Sequence, residues 1–74
     1  METIEYSLNL YVEHKIRTGG FLEAVLSNDL FSAFGKADEG NKRQMHEIVK
    51  YVYNELPSNC WGSKEKVEAW LNKK

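Results

Sequence analysis

The stretch "VLSNDLF", residues 25–31, sets a carboxylate among apolar side chains. On a helical wheel at about 100° per residue, Asp29 falls between Leu22 and Val25. That is the middle of an apolar stripe made by Leu22, Val25, Leu26, Leu30, Ala33 and Phe34. A buried charge without partners costs several kcal/mol. A straight helix would therefore make Asp29, with Asn28 beside it, a pocket-edge acid that receives hydrogen bonds or holds a ligand. A break at Ser27 or Asn28, both good N-cap types, would instead turn Asp29 off the stripe. Asp29 would then favour the first turn of a new helix or cap a neighbouring turn, such as the glycine turn upstream. The break is the expectation, with Asp29 serving a turn before any ligand.

Two further groups of residues have suggestive chemistry. Gly19, Gly20 and Phe21 precede a helix, where glycines can turn backbone N–H groups toward an anion. Arg17 and Thr18 add donors just upstream, although the spacing matches neither the dinucleotide fingerprint nor the Walker loop. A plain interhelical turn accounts for the same residues. The segment "PSNCWGS", residues 57–63, puts a thiol beside an indole and a glycine. A catalytic Cys60 would need a nearby base and a lowered pKa, and the sequence places neither His14 nor His46 beside it. The structural reading has Trp61 packing over the core while Asn59 and Gly62 shape the turn. One cysteine and two scattered histidines lack the spacing of a metal site, and no nucleophile–base set or carboxylate pair stands out. The expectation is a chain without catalytic residues, metal or cofactor, and so not an enzyme.

Composition narrows the classes. Seventy-four residues, 42% hydrophobic and 28% charged, predict one domain over 1–74. A chain of this length buries only about 60% of its unfolded surface. It has no disulfide set to compensate, so a homo-oligomer is one way to bury more. The net charge of −1 gives no bulk attraction to nucleic acid or anionic lipid. A lone cysteine suits a reducing compartment. The acidic, polar N-terminus lacks a signal-peptide pattern, and no apolar run approaches the roughly 20 residues of a membrane span. A cytoplasmic location without membrane partners is expected.

Four helices should position these residues. The first, over 3–16, repeats Ile4, Leu8, Tyr11 or Val12, and Ile16 on one face, with Thr3 as N-cap and Gly19 and Gly20 as its left-handed stop. The second covers 21–36, and residues 37–40 form a loop. The third covers 42–55 behind Asn41 as N-cap, with Met45, Ile48, Val49, Val52 and Leu56 as its apolar face. Lys42 and Arg43 would oppose the dipole in its first turn, and Pro57 ends it. The fourth covers 64–72 behind Ser63, with Val67, Trp70 and Leu71 facing inward. The fold class is all-α, a compact bundle of four to five short helices. Tyr6, Phe31, Tyr51, Tyr53 and Trp61 exceed what one thin core hides, and large aromatics left outside a core often mark contact surfaces.

"GGFLEAVLSNDL", "YNELPSNCWGS" and "VEAWL" together resemble a family of small uncharacterised helical proteins of bacteriophage and prophage genomes, from Tyr11 to Leu71. In that pattern a proline pair precedes the first glycine. Arg17 and Thr18 stand there in this chain, which implies a longer first helix and a looser turn. The resemblance implies no activity. Its context implies a small accessory protein that engages a host protein or sequesters a signalling ligand.

Three functions fit these readings. A non-enzymatic binding protein would engage a protein partner, a host factor in the phage context, through spare aromatic surface. An oligomeric binder of a small nucleotide-like ligand would use Arg17, Thr18, Gly19 and Gly20 for phosphate and Trp61 or a tyrosine for stacking. Nucleic-acid binding is the least favoured: "GNKRQMHEIVKY" offers Lys42, Arg43, Gln44 and Lys50 as a recognition helix, but Glu47 and the near-neutral charge oppose it.

Overall fold

The computed structural model describes residues 2–73, with side chains from residue 3 onward. The elements in order are α1 (Glu2–His14), α2 (Gly20–Leu26), α3 (Leu30–Lys36), α4 (Glu39–Arg43), α5 (Met45–Glu55), a 3-10 turn (Ser58–Cys60) and α6 (Lys64–Asn72). The expected all-α bundle of short helices is what forms. It has more and shorter elements than the hydropathy pattern implies, because two long apolar stripes are each interrupted.

The helix ends explain the interruptions. α1 stops at His14 and does not reach residue 16, so the longer first helix does not form. Lys15 takes the left-handed conformation, φ 56°, and the Ile16 N–H closes onto the Leu10 carbonyl at 3.3 Å. The Lys15 ammonium lies 4.0 Å from the centre of the Trp70 ring, a cation–π contact that anchors this unusual residue. The two glycines are therefore not the helix stop. Gly19, φ −71°, is the extended N-cap of α2, and Gly20 is its first residue. Thr3 lies inside α1 and is not its cap, and Ile16, beyond the helix, is exposed.

α2 ends in a Schellman motif. Asn28, φ 61°, supplies the left-handed residue, and its N–H bonds the Val25 carbonyl at 3.1 Å. The Asp29 N–H bonds the Ala24 carbonyl at 2.9 Å, closing the six-residue loop. The Asp29 carboxylate then accepts the Ser32 N–H at 3.3 Å and caps α3. The expected break is present, one position later than the Ser27 or Asn28 cap anticipated.

The third predicted helix is also divided. The Asp38 carboxylate accepts the Asn41 N–H at 2.7 Å and starts α4 within the predicted loop, so Asn41 is inside a helix and not its cap. Lys42 and Arg43 fall in the last turn of α4, where they favour the dipole, and a single residue, Gln44, separates α4 from α5. The four residues of the supposed recognition helix thus belong to two helices and their junction. α5 ends before Pro57, and the Ser63 hydroxyl caps α6 by accepting the Lys66 N–H at 3.1 Å, both as the sequence predicts.

The main core gathers Leu8 and Tyr11 of α1, Leu22 and Leu26 of α2, Ile48 and Val52 of α5, then Leu56, Cys60 and Val67. A smaller cluster joins Ala24, Ala33 and Met45. Tyr11 is the pivot: its hydroxyl donates to the Cys60 carbonyl at 2.7 Å, and its own carbonyl accepts the Trp70 indole N–H at 3.1 Å. Two bonds spanning 49 and 59 residues tie α1 to the C-terminal third. No helix among the described residues is long and apolar enough to cross a membrane.

Candidate functional site

Two depressions flank the α2–α3 corner, and Asp29 borders both. The first is a polar bowl of about 480 Å³. Arg17, Lys36 and Lys64 bring three positive charges to its wall, and Glu23, Asp29 and Glu68 bring three negative ones. Arg17 is the hub. One guanidinium N–H group pairs with Glu23, and two grip the Glu68 carboxylate at 3.0 and 3.1 Å. The hydrogen bond from Arg17 holds the Glu68 carboxyl below its ordinary range, and the same two carboxylates raise the Arg17 pKa. Among the described residues the formal charges lining the bowl balance, and its arginine is already engaged by two carboxylates.

The second depression is an apolar cleft of about 310 Å³. Val25 of α2, Leu30 of α3, and Val49, Val52 and Tyr53 of α5 form its walls, with Trp61 and Gly62 closing one end. Trp61 is held from two sides. Its indole N–H donates to the Leu56 carbonyl at 3.2 Å, and its ring meets Tyr53 at 5.7 Å between centres. Gly62 adopts φ +119°, which disfavours any side chain, and its N–H donates to the Leu26 carbonyl at 2.7 Å. That bond satisfies one of the free carbonyls at the end of α2 and fixes the cleft wall.

The apolar surface continues beyond the cleft. On α3, Leu30, Phe34 and Phe31 lie within about 100° of arc, next to buried Ala33. Phe31 is 94% exposed, Leu30 53% and Phe34 41%. On α5, Val49 and Tyr53 form an i,i+4 pair at the edge of the buried face, and Tyr53 is 70% exposed. Leu30, Phe34 and Val49 were expected to be core residues and lie instead at the surface. The break at Asn28 and Asp29 rotates α3 so that only Ala33 of its stripe remains inward.

The sequence-predicted site residues divide among three places. Arg17 and Gly20 line the bowl, Asn28 and Trp61 line the cleft, and Asp29 borders both. Thr18, Gly19, Phe21 and Asn59 line neither: the Thr18 hydroxyl donates to the Gly19 carbonyl at 3.3 Å, Phe21 packs against both cores, and Asn59 is exposed on the 3-10 turn. Within one chain, two of the four proposed phosphate donors, Arg17 and Gly20, line the bowl, whereas the Trp61 indole lines the cleft. Of the aromatics expected outside the core, Tyr6, Phe31 and Tyr53 are exposed, while Tyr51 and Trp61 are half-buried. Val25, Leu30, Val49 and Val52 were not anticipated as site residues. Their types read as core, and only the exposed aromatics beside them hinted at a surface.

Cys60 is fully buried, and burial pushes its thiol pKa up, the opposite of what a nucleophile needs. Comparison with family models, with curated proteins and with solved structures finds no match to this chain.

Proposed function

We propose that this chain is a non-enzymatic binding protein that engages a protein partner through the apolar cleft and the α3–α5 surface around it. The observation that carries the reading is the exposure of Leu30, Phe31, Phe34, Val49 and Tyr53 around a preformed apolar cleft. Together they present on the order of 500 Å² of apolar surface, within the size range of the largest patch on a typical monomer, which is often functional. Trp61, fixed by its own hydrogen bond, needs little ordering to receive an apolar side chain, which lowers the entropic cost of docking. The resemblance to phage accessory proteins supports a host factor as partner and the cytoplasm as the place of action.

Selection from a displayed library of amphipathic helical peptides tests this reading. Binders should emerge, and Val49→Glu should weaken them roughly 10-fold or more while Arg17→Ala leaves them unchanged. Failure to recover any binder, or binders indifferent to Val49→Glu, would overturn it.

A further inference from the structure

The α3–α5 face carries both halves of a contact. We infer that a second copy of this chain docks on it, in a two-fold exchange that seats Phe31 of each copy in the apolar cleft of the other. The inference rests on reading this face as a protein-docking surface, and it adds a second copy of the chain as an occupant beside a heterologous partner.

Three observations single out a second copy. The first is shape. Phe31 directly follows Leu30, a wall of the cleft, so an almost fully exposed phenyl ring and an apolar cavity sit side by side. A two-fold axis passing between them brings each ring to the other copy's cavity, the self-complementary arrangement of an isologous dimer. The cavity, about 310 Å³, is at the small end for a ligand site and suits one or two apolar side chains.

The second is area. A standard interface covers about 800 Å² on each partner, and homodimer interfaces are about 65% apolar. That requirement is on the order of 500 Å² of apolar surface per copy, the same order as the exposed side chains of this face present.

The third is charge. Among the described residues Asp29 is the one charged residue lining the cleft, and its carboxylate already accepts the Ser32 N–H. Seating a phenyl ring in the cleft adds no charged group to it. A chain with net charge −1 also repels its copy only weakly.

Solution mass, measured by sedimentation equilibrium from micromolar to millimolar concentration, tests the exchange. The wild-type mass should rise to twice the 8.6 kDa of the chain and stop there. Phe31→Ser removes the ring and leaves the cavity, while Val49→Glu blocks the cavity and leaves the ring. Each alone should raise the dissociation constant roughly 10-fold or more. An equimolar mixture of the two should regain a dimer, because one ring–cavity contact of the two is restored. Both positions are exposed, and helical circular dichroism checks that each variant folds. If Val49→Glu unfolds, Tyr53→Lys serves as the cavity-blocking variant.

A wild-type chain that stays monomeric overturns the inference. So do assemblies that grow past two, a dimer untouched by both variants, and a mixture that fails to associate. Peptide binding by the Phe31→Ser chain, whose cleft is intact, is a separate readout. A monomer that binds selected peptides refutes the exchange alone, whereas a dimer whose Phe31→Ser form binds none refutes the heterologous-partner reading alone.

Discussion

Tyr11 shows how one side chain can organise a thin core. It is 1% exposed, and its phenol reaches the Cys60 carbonyl while its backbone holds the Trp70 indole. Burial, reinforced by the neighbouring Cys60, pushes the phenol pKa upward, so it stays a neutral donor throughout ordinary conditions. Tyr11→Phe would keep the ring but leave the buried Cys60 carbonyl without a partner. It should lower unfolding stability by about 1–3 kcal/mol in urea titration while leaving the helix content unchanged. Asp29 teaches a different lesson at the same scale. It sits where the wheel put it in conflict, and the chain resolves the conflict by ending one helix and capping the next with it.

At the scale of elements, the corner at Asn28 and Asp29 sets the direction of α3 and so decides what the surface offers. Asn28 accepts the left-handed conformation at less cost than most residues, and the Asp29 cap starts the new helix at once. Asp29→Ala should cost about 1 kcal/mol through the lost cap, whereas Asp29→Asn should restore most of it; thermal melts of both variants read the difference. The body of the first helix and the C-terminal helix over 64–72 were legible because their apolar spacing is unbroken. Pro57 and Ser63 act through local backbone chemistry that residue type alone reveals. The stop of α1 was hidden, since a left-handed Lys15 is held by Trp70, a residue 55 positions away that no local pattern can connect. The start of α4 was hidden for a different reason: Asp38 and Asn41 are both acceptable caps, and periodicity does not rank them; nor does Gln44, which makes no side-chain cap bond, mark the division of α4 from α5. The cleft was half legible. Exposed aromatics signalled a surface, but the valines and leucine that form its walls are indistinguishable by type from core residues.

At the scale of the whole molecule, Arg17 links the α1–α2 connection to α2 through Glu23 and to α6 through Glu68. These ion pairs are exposed, so each contributes little alone. Their pH dependence is still readable. The folded state holds Glu68 below its ordinary value of 4.5, so the native chain binds fewer protons there than the unfolded one. The contribution is fully present above 4.5 and is lost as pH falls through the lowered folded value. Melting temperature should therefore decline below that range, and Glu68→Gln should flatten part of the decline.

The same whole-molecule view separates the two depressions. The bowl pairs its arginine with two carboxylates, while the cleft and its rim leave Leu30, Phe31, Phe34, Val49 and Tyr53 exposed. Where a partner touches this protein therefore decides between the two depressions. The most direct measurement is a residue-resolved map of amide chemical shifts as a selected helical peptide is titrated into the isotope-labelled Phe31→Ser chain. The largest changes should fall on Val25, Leu30, Val49, Tyr53 and the Trp61 indole. Changes centred on Arg17, Lys36 and Lys64, or spread without preference over the surface, would contradict docking at the cleft.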